Sequence, residues 1–279
     1  MIGVETQRDG TLRLVKHEGA GNDFLVLVDL DDTLALTPAE VRVLCHRRRG
    51  VGADGFIRLL PGGNGAEVTM ELWNADGSPA ETSGNGLRCV AQAAVDAGIV
   101  RPPRFTVATA AGTATVDYED CGPGQPARAT VDMGAVRLVG PSGTDASGRP
   151  VQRADAGNPH LVVRCDDPAA IDLATEGAAL AADFDGGINV EFVAPGTARD
   201  ELTMRVFERG VGETWACGSG SCAAAAVSRF WGLVGDRVQV KNPGGTLDVE
   251  LGPKDGDPVR LSGPVRRVAL VEVRRGTLT

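Results

Sequence analysis

The chain has 279 residues, 42% of them hydrophobic, which is enough for two domains of about 130 residues each. Its net charge of −9 argues against nucleic acid or an anionic membrane as the main partner. No apolar run resembles a signal peptide or a membrane span, and six cysteines without regular spacing are typical of reduced thiols, so we predict a cytoplasmic protein.

The first elements along the chain are two short strands and a helix. Hydrophobic residues predict strands at 11–15 and 24–28. Thr37 followed by Pro38 predicts a helix start. The basic triplet 47–49 is interpreted as the solvated end of that helix, where cations favour the dipole.

The next elements complete the first part of the chain. Strands are predicted at 56–60 and 67–73, and a helix at 86–97 with an apolar face over most of its circumference. Such a helix is expected to be central and buried. Strands at 105–117 and 127–133 follow it.

The second part of the chain repeats this mixture of strands and helices. Residues 140–150 are predicted as a loop, and 171–181 as a helix that Gly177 interrupts. A second central helix follows residue 217. The predicted strands are 151–154, 188–193, 202–208, 237–241, 246–251, 259–262 and 265–273.

The glycine-rich turn after Cys217 runs into four consecutive alanines. Alanine favours a helix and glycine does not, so the helix should begin inside the turn. Its first N–H groups lack helical partners and carry partial positive charge. A thiol there is a candidate thiolate, and a carboxylate could bind beside it. The alternative interpretation is a buried structural cysteine.

A second copy of this turn occurs earlier, around Ser83. Other polar residues also recur in the same order and at nearly constant separation, which indicates two homologous halves. The matched pairs are Asn22 with Asn158, Asn74 with Glu208, and Ser83 with Cys217.

Two like halves predict a ligand in the cleft between them, with Ser83 and Cys217 on opposite faces of it. The two helix starts would stabilise a carboxylate beside the reacting carbon. This arrangement suits inversion at the α-carbon of an amino acid. We identify no pyridoxal signature, and the cysteines lack the partners of a zinc site. We therefore expect neither cofactor nor metal, and a thiol as the base.

Six segments between residues 16 and 226 resemble the successive signatures of the diaminopimelate epimerase family. They are GNDFLVLVD, GVGADGFI, NADGSPAETSGNGLRC, AGNPHLVV, GINVEF and ERGVGETWACGSGSCAA. The resemblance implies a pyridoxal-independent, two-base enzyme that converts LL- to meso-diaminopimelate for lysine and peptidoglycan synthesis. It leaves open whether the chain forms a homodimer.

The resemblance also implies an α/β (α+β) fold of two pseudo-twofold-related domains. Each would be a β-barrel-like sheet around a central helix. The last strand would cross back to the first domain, so we expect halves at 1–131 plus 265–279 and at 132–264.

The same match assigns roles to individual residues. Four would carry or assist proton transfer: Cys217, Ser83, His160 and Glu208. Nine would bind the substrate: Asn22, Asn74, Gly84, Asn85, Asn158, Asn189, Arg209, Gly218 and Ser219.

Substrate chemistry supports the polar set. Diaminopimelate carries an amino-acid head at each end, so a specific enzyme needs a second group of donors. Arg209 could bind the distal carboxylate in bidentate fashion. Taken singly, each Asn could be a turn residue and Arg209 half of a surface ion pair. Trp215, beside Cys217, is interpreted as packing.

Ser83 departs from the family, which has cysteine at both catalytic positions. A hydroxyl is a far weaker acid than a thiol, whose reference pKa is about 8.5. Three explanations stand. The first is a natural Ser/Cys pair aided by a neighbouring residue, and the second is a related enzyme in which only one of the two groups transfers a proton, such as a racemase of another amino acid. The third is an engineered serine that traps one state of the enzyme. A catalytically silent amino-acid-binding protein is a further alternative.

Overall fold

The computed structural model describes residues 10–63, 65–80 and 83–278, which form two compact units. The first unit takes in the described residues up to Val131 and from Pro264 onward, and the second is Asp132–Gly263. Glu81 and Thr82, in the first copy of the glycine-rich motif, lie outside the described residues. No helix within the described ranges is long and apolar enough to cross a membrane.

The first unit contains two helices and most of its strands before residue 136. In chain order these elements are β1 (Thr11–Gly19), β2 (Asn22–Val28), α1 (Pro38–Cys45), β3 (Gly55–Pro61), β4 (Val68–Asn74), β5 (Pro79–Ala80), α2 (Gly84–Asp96), β6 (Arg104–Thr109), β7 (Gly112–Glu119) and β8 (Ala127–Ala135).

The second unit repeats the order and is followed by a long last strand. Its elements are β9 (Arg137–Thr144), β10 (Pro150–Asp155), β11 (Pro159–Arg164), α3 (Leu173–Ala182), β12 (Asn189–Pro195), β13 (Glu201–Glu208), β14 (Gly212–Thr214), α4 (Gly218–Phe230), β15 (Arg237–Asn242), β16 (Gly245–Glu250) and β17 (Pro258–Arg274).

Strand pairing in the first unit closes a ring. The hydrogen-bonded order is β1–β2–β3–β4–β6–β7–β8, and β17 pairs with both β8 and β1. Helix α2 packs against β1, β2, β3, β4 and β7, and ten of its thirteen residues are buried. The predicted central helix is therefore inside a barrel of eight strands.

The second unit follows the same sequence of pairings. The β11–β12 and β13–β15 pairs are parallel, as are β2–β3 and β4–β6 in the first unit. The pairs β10–β11, β12–β13 and β15–β16 are antiparallel, as are β1–β2, β3–β4, β6–β7 and β7–β8 in the first unit. Helix α4 packs against β9 to β13, β15 and β16. The predicted fold class, α+β with a sheet curved around a central helix in each half, is confirmed.

Some element boundaries differ from the sequence prediction. Residues 140–150 are not all loop, because β9 extends to Thr144 and pairs with β10. The strands predicted at 259–262 and 265–273 are one strand, β17, and the strand predicted at 105–117 is broken by a turn at 110–111. Helix α3 passes through Gly177 without interruption. The glycine is explained by close packing, because a Cβ there would lie 2.6 Å from the Cβ of Phe207.

Arg47 follows the end of α1 and its side chain is 57% exposed, but it also forms ion pairs that the interpretation of 47–49 as a solvated helix end did not include. Helix α1 ends at Cys45, and the Arg47 guanidinium bonds both carboxylate oxygens of Asp23, at 2.8 and 3.1 Å. It also reaches Asp54 at 2.6 Å. These ion pairs tie the loop after α1 to the starts of β2 and β3.

We expect His17 to make the stability of the protein depend on pH. Its side chain is fully buried on β1. Burial lowers the pKa of His17 from 6.5 to about 4, and the charge of Arg267 acts in the same direction. The unfolded chain therefore binds the proton more readily. The stabilisation is fully present above pH 6.5 and is lost as the pH falls toward 4.

The size of this effect is about 3 kcal/mol in the free energy of unfolding. Urea titrations between pH 7 and 4 measure it. The variant His17→Gln should flatten the pH dependence by that amount, and His46→Gln, on an exposed histidine, should leave it unchanged. Equal pH dependence in the parent and His17→Gln would contradict the expectation.

Candidate active site

Cys217 is the N-cap of helix α4. Its backbone is extended, and its Sγ accepts the N–H of Gly220 at 3.4 Å. The side chain is 6% exposed, and the hydroxyl of Ser219 lies 3.6 Å from Sγ. The thiol thus occupies the positive end of a buried helix, where a developing anion is stabilised. Gly218 and Ser219 form the first turn.

Glu208 lies beside this thiol at the end of β13. A short hairpin to β14 brings Thr214 back to it, and Thr214 Oγ1 donates a hydrogen bond to Glu208 Oε1. Burial raises the pKa of Glu208, while its interactions with Thr214 and with the Cys217 thiol act to lower it. A half-buried carboxylate next to a thiol is placed to accept or return the thiol proton.

The pKa of Cys217 is itself raised well above its usual value. Burial is the main cause, and the negative charges of Glu208 and Glu191 act in the same direction. Hydrogen bonds from Ser219 and Gly220 oppose them. The resting side chain is therefore the thiol, and a thiolate forms only when a nearby group takes its proton or a cation arrives.

His160 is held between two side chains. It is fully buried on β11; its Nδ1 lies 2.6 Å from Glu191 Oε1 and its Nε2 lies 2.8 Å from Asn158 Oδ1. Sequence reasoning did not single out Glu191, although it occurs in the segment GINVEF. The signal available was a charged residue two positions after Asn189, on the same face of the strand.

Arg209 and Asn189 are joined through the backbone. The N–H of Arg209 donates to Asn189 Oδ1 at 2.9 Å. The Arg209 side chain packs over Gly187 and is exposed, and no hydrogen bond or ion pair among the described residues engages its guanidinium. The alternative of a surface ion pair for Arg209 therefore does not hold in the described part of the chain.

Ser83 occupies the equivalent place in the first unit. It is the N-cap of α2, and its Oγ accepts the N–H of Gly86 at 3.1 Å. Gly84 and Asn85 form the first turn of that helix, and both are buried. The two predicted helix starts thus have the same capping geometry, one with a hydroxyl and one with a thiol.

A chain of hydrogen bonds fixes the amides near Ser83. Arg88 donates to Asn85 Oδ1 at 2.8 Å, and Asn85 Nδ2 donates to Asn22 Oδ1 at 3.2 Å. Asn22 Nδ2 then donates to Asp54 Oδ2 at 2.9 Å. Asp54 was missed from the sequence because its partner lies 32 residues away. The orientation of both amides follows from this network.

Asn74 and Trp215 are exposed, unlike the capping residues of the two helices. Asn74, at the end of β4, donates from Nδ2 to Ser78 Oγ at 3.0 Å and its amide is exposed, so it also serves as a turn residue. Trp215 is 64% exposed, and its interpretation as packing is wrong.

The two units place different chemistry at equivalent positions. The last residue of β4 is Asn74, and that of β13 is Glu208. The paired registers of β2 with β3 and of β11 with β12 make Phe24 equivalent to His160 and Ile57 to Glu191. The acid–base groups therefore gather around Cys217, and neutral side chains take their places near Ser83.

We call the residues around the start of α4 the thiol cluster: Cys217, Glu208, His160, Asn158 and Glu191. The residues around the start of α2 are the serine cluster: Ser83, Asn85, Asn22 and Asp54. The thiol cluster combines a nucleophilic atom, a carboxyl group of raised pKa and a helix start, which suits proton transfer next to a carboxylate. No group of three His, Cys, Asp or Glu within residues 10–63, 65–80 and 83–278 is arranged to hold a metal ion.

Comparison with known proteins adds sequence relatives. The family model described as diaminopimelate epimerase matches residues 14–139 and 153–268. A diaminopimelate epimerase of Thermobifida fusca is 40% identical, over 96% of this chain and all of the relative. One from a Cyanothece species is 36% identical, over 92% of this chain and 98% of the relative. An O-ureido-serine racemase of Streptomyces lavendulae is 39% identical, over 94% of this chain and 95% of the relative.

Solved structures share the fold at low identity. A PhzF-family phenazine biosynthesis protein of Bacillus anthracis has a TM-score of 0.74 at 15% identity, over 94% of this chain and 99% of that one. A hydroxyproline epimerase of Agrobacterium vitis has a TM-score of 0.73 at 16% identity, over 96% of this chain and 94% of that one. At these identities the likeness concerns the fold alone.

Proposed function

Because the chain belongs to the diaminopimelate epimerase family, we propose that it interconverts LL- and meso-diaminopimelate. Membership confirms the predicted resemblance and makes the chain an isomerase, and its relatives indicate a small amino acid as substrate. The proposed product would serve lysine and peptidoglycan synthesis.

The observation that carries the proposal is the thiol cluster. Cys217 lies at the start of a buried helix, with Glu208 against its thiol. In the proposed reaction Glu208 takes the thiol proton, and the thiolate then takes the α-proton of the substrate. The N–H groups of Gly218 and Ser219 stabilise the substrate carboxylate as charge develops next to the α-carbon.

The proposal requires a second group that returns a proton to the opposite face. Ser83 is the proposed donor, because it caps α2 as Cys217 caps α4. Solvent would then return a proton to the Ser83 oxygen and take the proton held by Glu208, which restores the starting state. In the reverse direction the proton would return from the Cys217 thiol. Since a hydroxyl ionises far less readily than a thiol, the step at Ser83 should limit the rate in both directions.

The remaining polar residues are proposed to bind the distal amino-acid head. Arg209, whose guanidinium is exposed at a strand end, would take the distal carboxylate through two parallel hydrogen bonds. The amides of Asn158, Asn189, Asn22 and Asn74 would serve the ammonium and the second carboxylate oxygen.

A racemase for another amino acid is the second candidate. Two observations favour it: serine replaces the family cysteine, and an O-ureido-serine racemase is 39% identical over most of both chains. On this proposal a shorter substrate would leave Arg209 without a carboxylate partner.

Chiral analysis of amino-acid mixtures separates these candidates. The purified chain is incubated separately with LL-diaminopimelate, meso-diaminopimelate and O-ureido-L-serine, and the isomers are resolved after derivatisation. The proposal expects interconversion of the LL and meso isomers only. Inversion of O-ureido-serine alone would assign the second candidate. Calorimetric binding of LL-diaminopimelate without any inversion would indicate a silent binding protein.

A further inference from the structure

Glu191 is a buried carboxylate in the middle of β12. Its side chain is fully buried. Oε1 lies 2.6 Å from His160 Nδ1, and Oε2 has no hydrogen-bond partner among the described residues. A buried carboxylate with an unsatisfied oxygen is costly, so its position calls for a reason beyond packing.

The carboxylate of Glu191 also lies against the first turn of α4. A Cβ placed on Gly220 would come within 2.6 Å of Glu191 Oε1 and 3.3 Å of Cys217 Sγ. Only glycine lets the helix backbone approach the carboxylate this closely. In the first unit, a Cβ placed on Gly86 would come within 3.4 Å of the apolar Cδ1 of Ile57 at the equivalent place. Close packing of the helix start on this strand therefore does not itself require a charge.

Three titratable groups face the start of α4 from the strands packed on it. They are Glu208 on β13, Glu191 on β12 and His160 on β11. After burial, the charges of Glu208 and Glu191 are the causes that raise the pKa of Cys217. His160 acts in the opposite direction on Glu208.

We propose that Glu191 is a positioning residue of the thiol cluster, holding the His160 ring through Nδ1 and placing a buried negative charge against the first turn of α4. The inference deepens the proposed function and rests on it only for the activity measurement below.

Two consequences follow from this arrangement. With Nδ1 anchored by Glu191, the other ring nitrogen faces Asn158, so the orientation of that proposed substrate-binding amide depends on the carboxylate. Together with burial and the charge of Glu208, the Glu191 charge also favours the thiol form of Cys217, because each of them raises its pKa. A substrate carrying an ammonium group next to its α-carbon would offset the charge and permit the thiolate to form.

The test measures the rate of Cys217 alkylation by iodoacetamide at pH 7.5 and 8.5, followed at the Cys217 peptide by mass spectrometry. Both pH values lie below the raised pKa of the thiol, so the rate follows the small thiolate fraction and rises about tenfold for each unit by which the thiol pKa falls. Removing the charge in Glu191→Gln should raise the rate about tenfold at both pH values. Glu191→Ile, which copies the residue of the first unit, should change the rate in the same direction.

A matched control and an internal reference accompany these variants. Glu201→Gln neutralises another buried carboxylate of the same unit, which pairs with Lys241 at 2.8 Å, and should leave the alkylation rate of Cys217 unchanged. The exposed Cys121 should react equally in all proteins. An unchanged Cys217 alkylation rate in both Glu191 variants would overturn the inference.

Isomerase kinetics supply the second readout. Glu191→Ile removes the acceptor for His160 Nδ1 and should lower kcat tenfold or more, whereas Glu191→Gln retains an acceptor and should lose less. Equal losses in the two variants would overturn the positioning role. If the parent chain isomerises no diaminopimelate, the proposed function fails, and the alkylation rates still decide the role of Glu191.

Discussion

Replacing Cys217 with serine is expected to lower the rate of diaminopimelate isomerisation about 10³-fold or more. The change removes a single sulfur atom from the thiol cluster and keeps a side chain that can cap α4, as Ser83 caps α2. Proton transfer by a positioned side chain contributes about 10² to 10⁴ in rate, and a hydroxyl is a far weaker acid than a thiol.

The measurement is the steady-state rate of LL to meso conversion, with Cys217→Ala as a second variant. Cys217→Ala also removes the cap and should cost about 1 kcal/mol of stability. The control is Cys222→Ala, on a fully buried cysteine of the same helix, which should retain activity within a few-fold. Activity of Cys217→Ser within tenfold of the parent would place the base elsewhere.

Replacing Ser83 with cysteine is expected to raise the isomerisation rate about 10²-fold. The capping geometry accommodates a thiol, because Cys217 makes the same bond to Gly220 that Ser83 makes to Gly86. The proposed limiting step at the hydroxyl would then pass to a group that ionises more readily.

The companion variant is Ser83→Ala, which removes both the hydroxyl and the cap of α2. We expect it to lose the remaining isomerisation and about 1 kcal/mol of stability in a urea titration. If Ser83→Cys is no faster than the parent, replacing the hydroxyl with a thiol does not help the reaction, and proton donation by Ser83 is not the limiting step. A reaction on another amino acid in which only Cys217 transfers a proton would then be favoured.

Local sequence signals were sufficient to predict the helix starts and most strands. Glycine and a small polar residue before a run of alanines, or before alternating apolar residues, predict where α2 and α4 begin. Their caps lie within the same few residues. Strand β9 was missed because all eight of its residues are exposed or half-buried, so its sequence shows no hydrophobic alternation.

Contacts between distant segments could not be predicted in the same way. Arg47 was interpreted as a solvated end, since nothing near it in sequence reveals Asp23, 24 residues earlier. Glu191 was passed over because its role depends on the parallel pairing of β11 with β12, which brings it to His160. The sequence shows the residue types, and strand register decides which of them meet.

The gathering of acid–base groups around Cys217 was also only partly visible. His160 and Glu208 were proposed from resemblance, and their neighbours Glu191 and Thr214 come from the structure. Comparing the two units position by position shows the asymmetry, because Phe24, Ile57 and Asn74 stand at the equivalent places.

The most direct test of proton transfer by two different groups is the position of solvent deuterium early in the reaction. LL-diaminopimelate is incubated with the chain in D₂O to low conversion, and the α-carbons of the product and of the recovered substrate are examined by mass spectrometry. The account predicts one deuterium in the meso product and almost none in the recovered LL isomer, since the group that removes the proton is not the group that returns one. Equal labelling of both would assign both transfers to one group and contradict the roles given to Cys217 and Ser83.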